Sequence, residues 1–357
     1  MPHEEVWTAW IGALAEKTRS EIFCNPEAFA CYDAQRKTGD EIHSVYDQQD
    51  FFTIYLHTSP GHMGWPKGSI FYGRDVPDPV RTAWGHHSLT VATRKAMIEA
   101  LKDPLNQRFQ MVCPATVPVR PPLFTYTQLL ALKKSRIQDF DQEEEETWSS
   151  KAFRFSLDML AEYPMLHKHA RRHWQWVTLN REHAEIIGKD DYVIKMFDKH
   201  CFFGEEKRTL ECTSDESYVG TALSYWLAER NESLAEQADG DLAMAVATQA
   251  GGFKEEEVTE ETVAELRNSS PKWTINFWAD HRRTKGCRAV ERPQVALSSK
   301  GMLGDAASRE DACQMSKDPL NPPQRMVPYE GCLYFARKFM PPVAETVKAI
   351  LKDFYVI

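Results

Sequence analysis

GSIFYGRDVPDPVRTAWGHHSLTVATRKAMIEALKDPLNQRF (68–109) carries the first decision about the fold. SIFYG (69–73) is a short aromatic and branched run closed by glycine, which predicts a strand. Ser88 stands where an N-cap belongs. Leu89, Ala92, Ala96 and Ala100, with Met97 and Leu101, then recur at helical spacing through Lys102. Asp103-Pro104 ends that helix, and RFQMVCP (108–114) predicts the next strand. Upstream, FFTIYLH (51–57) reads as a buried strand broken by Pro60-Gly61. Strands and a helix therefore alternate over the first third of the chain. That order predicts an α/β sheet with crossover connections.

Further out the pattern continues. Residues 5–17 form an amphipathic helical pattern, and 18–45 are polar, so 1–45 are set apart as an N-terminal helical and polar segment. Residues 46–357 are taken as the main domain. Within it DQEEEE (141–146) predicts a solvated loop. WQWVTLN (174–180) predicts a strand, and REHAEIIG (181–188) a short helix closed by Gly188. Residues 228–270 are polar and poor in aromatics, as in an insertion. WTINFW (273–278) is strand-like, and 343–354 form a closing helix entered by Pro341-Pro342.

Composition bounds the function. The chain has 357 residues, 42% hydrophobic and 27% charged, enough for a substantial core. Its net charge of −9 argues against broad binding to nucleic acid or an anionic membrane surface. VWTAWIGALA (6–15) is too short to span a bilayer and has no basic residues before it. The eight cysteines include no C-x-x-C, which removes the usual zinc and thioredoxin-like patterns. Asn231-Glu232-Ser233 and Asn268-Ser269-Ser270 fit the N-glycosylation rule, and with the cysteines they point to a lumenal or secreted setting.

The chemistry centres on CTSDESYVGTALSYWL (212–227), where Asp215 and Glu216 sit at the mouth of an apolar helix. Two readings stand side by side. Glu216 is placed to take a proton from a substrate. Equally, Thr213-x-x-Glu216 spells a capping box. There is no G-x-S-x-G, Walker loop, dinucleotide fingerprint or H-E-x-x-H. D-x-D occurs at 139–141 and 239–241, a weak metal pattern in a chain with 52 acids. His86 and His87 are adjacent at a helix entry and face different ways, so their reading is structural. HRRTKGCR (281–288) and ARKF (336–339) gather cations that suit either a solvated face or a diphosphate.

Four blocks in order give these features a common frame. The 68–109 segment resembles the plant and algal branch of the core-2/I-branching β-1,6-N-acetylglucosaminyltransferases, glycosyltransferase family 14. RRHWQWVTLNREHA (171–184), CTSDESYVGTAL (212–223) and GCLYFARKF (331–339) are similar to later blocks of that branch. The resemblance implies an α/β fold: a GT-A-like nucleotide-sugar-binding sheet flanked by helices, here without an identifiable first strand. It implies inverting transfer of a sugar, GlcNAc-like or other, from a UDP-sugar to a glycan acceptor in the Golgi. No metal or other cofactor is expected. Glu216 matches the general base and Lys338 a donor-diphosphate ligand. Arg292 is the preferred second cation, with Arg283 and Arg288 as rivals. His57 matches a residue at the nucleotide, and Asp215, Trp176 and Trp278 are the acceptor candidates. Trp84 aligns with a family tryptophan and is expected to pack in the core. The family also carries two cysteines where Cys201 and Cys212 stand; a disulfide there would contribute about 3 kcal/mol.

Three departures qualify the match. The opening strand is replaced by a segment in which only Trp7 or Trp10 echoes a family tryptophan. VCPATVPV (112–119) stands where the family has a Ser-Glu-Ser loop, and Ser217 replaces a histidine after the acidic pair. These departures motivate a second hypothesis, a degenerate relative that binds sugar nucleotide or glycan without turnover. A third, a glycoside hydrolase, needs a distant carboxylate partner, because adjacent acids cannot flank a glycosidic bond.

Overall fold

The computed structural model describes residues 3–17, 51–120, 122–131, 134–137, 155, 157–201, 213–234, 238–239, 246–267, 288–289, 329–330, 334–339 and 343–355. Along the chain the elements are α1 (Glu4–Lys17), α2 (Ser88–Leu101), β1 (Arg108–Gln110), β2 (Thr116–Pro118), α3 (Pro122–Ala131) and β3 (Ser135–Arg136). There follow α4 (Leu157–Glu162), α5 (Leu166–His169), β4 (Thr178–Asn180), α6 (Arg181–Lys189), α7 (Val193–His200) and α8 (Tyr218–Ala228). The last are β5 (Ala238–Asp239), β6 (Val246–Phe253), α9 (Glu260–Arg267), β7 (Arg288–Ala289), β8 (Tyr329–Glu330), β9 (Phe335–Phe339) and α10 (Ala344–Tyr355). Two compact units result. Unit 1 takes Met1–Thr53, Cys113–Lys133 and Val246–Ile357; unit 2 takes Ile54–Val112 and Lys134–Ala245.

Unit 2 holds a four-stranded sheet in the order β1-β4-β3-β5. β4 runs antiparallel to both β1 and β3, and β5 is parallel to β3. Phe109 lies opposite Leu179 in this sheet, and both join a core that includes Met97 of α2, Ile187 of α6, Phe197 of α7 and Leu223 of α8. α8 is the central helix: eight of its eleven residues are buried, as its nearly unbroken apolar sequence requires. α6 starts where Asn180 accepts the His183 amide at 2.8 Å, an N-cap that the sequence places directly before an apolar face.

The LKDPLNQRF run is a helix terminator. Asp103 accepts the Leu105 amide at 2.9 Å, and Asn106 donates to the Ala100 carbonyl at 2.9 Å. From α6, Arg181 donates to the carbonyls of Leu101, Asp103 and Asn106 at 2.8–3.0 Å. One guanidinium thereby satisfies carbonyls that a helix end leaves without partners.

Four local expectations change. FFTIYLH (51–57) is not a strand; it is half-buried extended chain with one parallel bridge, Leu56 to Asp75. SIFYG (69–73) is a turn. The Ser69 hydroxyl accepts the Phe71 amide at 3.0 Å, and Gly73 takes φ +70, so a serine-led turn overrides strand propensity. Ser88 begins α2 without capping it; its hydroxyl accepts the Ala83 amide at 3.3 Å. Gly188 does not close α6, which continues to Lys189. A Cβ at Gly188 would stand 2.9 Å from Leu101 Cδ1, so the glycine serves close approach to α2.

Unit 1 is built on a three-stranded sheet, β2-β9-β6, with β9 central. β9 is antiparallel to β2 and parallel to β6. α1 lies against β2 and β9. Trp7 Nε1 donates to the Thr116 carbonyl at 3.1 Å, and Trp10 Nε1 to the Arg120 carbonyl at 2.6 Å. Both indoles also contact the Phe335 ring. The tryptophans that echo the family's opening segment are therefore carried on a helix. β6 and α9 fall within the stretch read as a polar insertion, and α9 buries Val263 and Leu266. Among the described residues no helix is long and apolar enough to cross a membrane. The mixture of helices with small sheets is compatible with an α/β glycosyltransferase.

Candidate active site

In unit 2 the acidic pair lies on a single 3₁₀ turn, Ser214–Glu216, immediately before α8. The Glu216 amide bonds the Thr213 carbonyl at 3.0 Å, but the Thr213 side chain makes no capping bond. The capping-box reading therefore lacks its threonine half. Asp215 and Glu216 are half-buried, while Ser214 between Thr213 and the pair is fully enclosed.

The turn is held from two sides. On one, the Ser214 hydroxyl meets Thr90 Oγ1 at 2.7 Å and His87 Nδ1 at 2.9 Å. On the other, the His173 amide donates to the Glu216 carbonyl at 2.8 Å, and the Arg171 amide to Thr221 Oγ1 at 3.1 Å. Gly220 makes this second approach possible, because a Cβ there would lie 2.9 Å from His173 Cδ2 and 3.0 Å from Arg171 Cβ. Below the turn, Asp190 accepts the Tyr218 hydroxyl at 2.9 Å and Trp226 Nε1 at 2.7 Å. Burial, and then the Asp190 charge, push the Tyr218 hydroxyl well above its usual pKa, so it stays a donor.

In unit 1, Lys338 lies half-buried on β9. Burial, and then Arg337 beside it, lower its pKa, while Cys113 opposes the shift. Cys113 opens the turn into β2: its amide donates to Thr116 Oγ1 at 3.1 Å, and Thr116 faces Arg337 in the β2–β9 ladder. The altered 112–119 loop and the ARKF strand are thus neighbours.

The family model for core-2/I-branching enzymes matches residues 41–263, more than half of the chain. The chain belongs to the core-2/I-branching enzyme family. It is also similar to glycosyltransferase BC10 of Oryza sativa subsp. japonica, 31% identical over 196 residues, covering 50% of this chain and 47% of that protein. The chain thus spans about half the length of the curated relative it matches.

Seen as a member of the core-2/I-branching family, the chain brings three of its four resemblance blocks to one place. The 68–109 block supplies His87 and Thr90, the 171–184 block supplies Arg171 and His173, and all touch the turn or first helical turn of the 212–223 block. The fourth block lies beyond the matched range, in unit 1, so Glu216 and Lys338 belong to different units. His57 of unit 2 is half-buried and accepts the Val80 amide at 3.0 Å; burial lowers its pKa. Trp176, an acceptor candidate, is 8% exposed. Trp84, expected in the core, is instead 79% exposed. Arg292, its rival Arg283, Trp278 and Cys212 lie outside the described residues, and Arg288 opens β7. Sequence reasoning missed the roles of Ser214, Thr90 and Asp190. The partners of Ser214 and Thr90 are distant along the chain and no spacing rule signals them; Asp190 could have been read as a cap for the amides of Tyr192, Val193 and Ile194, but not as the acceptor for Tyr218 and Trp226.

Proposed function

We propose that this chain is an inverting, metal-independent glycosyltransferase that moves a sugar, GlcNAc-like or other, from a UDP-sugar to a hydroxyl of a glycan acceptor. The observation that carries this reading is the convergence of three family blocks on the Asp215–Glu216 turn, which is braced on both sides. Glu216 is the general base, within reach of solvent because its side chain is only half-buried. The acceptor oxygen attacks the anomeric carbon as the bond to the β-phosphate oxygen breaks. The acceptor proton goes to Glu216, and UDP leaves with the bonding pair. Lys338, with Arg292 as second cation, stabilises the charge that builds on the diphosphate. His57 contributes at the nucleotide, and Asp215 with Trp278 at the acceptor. Residues 46–357 form the transferase region.

The same reading places the protein in the Golgi lumen. Two features support a lumenal setting. Asn231, in an N-glycosylation tripeptide, is exposed after α8. Cys201 is buried at the end of α7 and is one half of a disulfide, for which Cys212 is the proposed partner. A second reading, a relative that binds sugar nucleotide or glycan without turnover, is favoured by the altered 112–119 loop beside Lys338.

The test is UDP release and transfer across a panel of UDP-sugars, with and without EDTA, for wild type and Glu216→Gln. Turnover indifferent to EDTA, and a loss of roughly 10²- to 10⁴-fold in the variant, are expected. EDTA-sensitive turnover would remove the metal-free mechanism, and undiminished turnover by the variant would remove Glu216 as base. Binding of a UDP-sugar with no turnover would establish the second reading.

A further inference from the structure

Ser214, His87 and Asp198 line up in unit 2: Ser214 Oγ is 2.9 Å from His87 Nδ1, and His87 Nε2 is 2.9 Å from Asp198 Oδ1. The trio invites a hydrolase reading, which the geometry rejects. Ser214 is fully buried and already engaged by Thr90 at 2.7 Å, so no substrate carbonyl can reach it. The carboxylate is also on the outside of the relay, with the Asp198 side chain 56% exposed.

The direction of the relay follows from donor and acceptor chemistry. A proton on His87 Nε2 suits the Asp198 carboxylate, which only accepts, although the two atoms do not complete a hydrogen bond. Nδ1 of the neutral ring then accepts the Ser214 hydroxyl, and Ser214 in turn accepts from Thr90. Ser214 is thereby satisfied both as donor and as acceptor, which holds the turn to α2. The His87 ring also stacks on Phe197 of α7 at 6.3 Å between centroids. The charged and titratable groups facing His87 are Asp198 of α7 and the neighbouring His86.

We propose that His87 is a positioning residue for Glu216: through Ser214 it fixes the acidic turn against α2, and through its stack on Phe197 it ties that turn to α7. This rests on Glu216 being the base, but the placement of the turn is measurable without substrate. Protonation of His87 would make Nδ1 a donor, and the Ser214 hydroxyl would then rotate to accept from it and donate to Thr90, so both contacts persist. Burial lowers the His87 pKa, so the ring stays neutral at neutral pH.

The experiment uses amide hydrogen exchange on the full chain, comparing wild type with Ser214→Ala and with His87→Phe, which keeps a ring on Phe197 but removes the Nδ1 acceptor. Protection of the Glu216 and Ser217 amides is expected to fall about tenfold or more in both variants, with Ile186 and Ile187 of α6 unchanged. Unchanged protection of Glu216 and Ser217, or loss that spreads equally through α6, overturns the proposal. The second arm reads UDP release from UDP-N-acetylglucosamine: kcat is expected to fall about 10- to 100-fold with KM held. A fall in KM-linked binding with kcat held overturns it. Glu216→Gln retaining both protection and turnover would instead remove the base, leaving the placement of the turn as measured.

Discussion

Asp190 shows how little a residue's neighbours in sequence reveal. Asp190 and Asp191 are adjacent and chemically identical, yet the Asp190 side chain is buried whereas that of Asp191 is 75% exposed and pairs with Lys195 one turn on. The Asp190 carboxylate accepts the amides of Tyr192, Val193 and Ile194, satisfying the first turn of α7, besides the side chains of Tyr218 and Trp226. Arg94 of α2 caps the same junction, donating to the carbonyls of Ile187, Gly188 and Asp190 at 2.6–3.0 Å. Asp190→Ala would strand several buried donors at once. A loss of about 3 kcal/mol or more in urea unfolding is expected, and a loss below about 1 kcal/mol would contradict this account.

At the scale of elements, two glycines make opposite predictions from similar numbers. At Gly220 a Cβ would press on the ring of His173 and the Cβ of Arg171, close to backbone on a loop held by its own hydrogen bonds. Gly220→Ala is expected to cost about 1–3 kcal/mol despite the helix propensity it gains, and to lift the 171–173 loop from the acidic turn. At Gly188 the obstacle is the end of the Leu101 side chain, which can rotate, so Gly188→Ala is expected to lie within about 1 kcal/mol of wild type. Thermal unfolding of the pair decides it: equal shifts would show that the backbone, not the clash, controls both. The same contrast explains what was legible. α2, α6 and α10 could be read because apolar periodicity is local to each segment. FFTIYLH and SIFYG misled because a strand needs a partner ladder, and the first finds one only at Leu56 while the second is captured by Ser69. The sequence singles out the acidic turn as a candidate, but its braces were not legible: His87, Thr90 and His173 reach it only through the tertiary fold.

Across the whole molecule, buried histidines set the response to acid. His3, His57, His87, His169 and His183 all have pKa values lowered chiefly by burial, and His183 is brought down to about 4. A pKa lower in the folded than in the unfolded chain means that stability is full above the usual 6.5 and is lost as pH falls towards the folded value. For His183, whose ring meets the Ser135 hydroxyl at 2.7 Å, that loss amounts to about 3 kcal/mol by pH 4. Urea midpoints are therefore expected to drop steadily between about pH 6.5 and pH 5; a flat profile there would refute the burial of neutral rings. α1 carries a different consequence. His3 bonds the Phe339 carbonyl at a separation of 336 residues, and Trp7 and Trp10 rest on β2 and β9. On the ribosome, α1 emerges hundreds of residues ahead of the strand it covers, so unit 1 closes last, and its two indoles stay open to chaperones or to misplaced strands until β9 arrives.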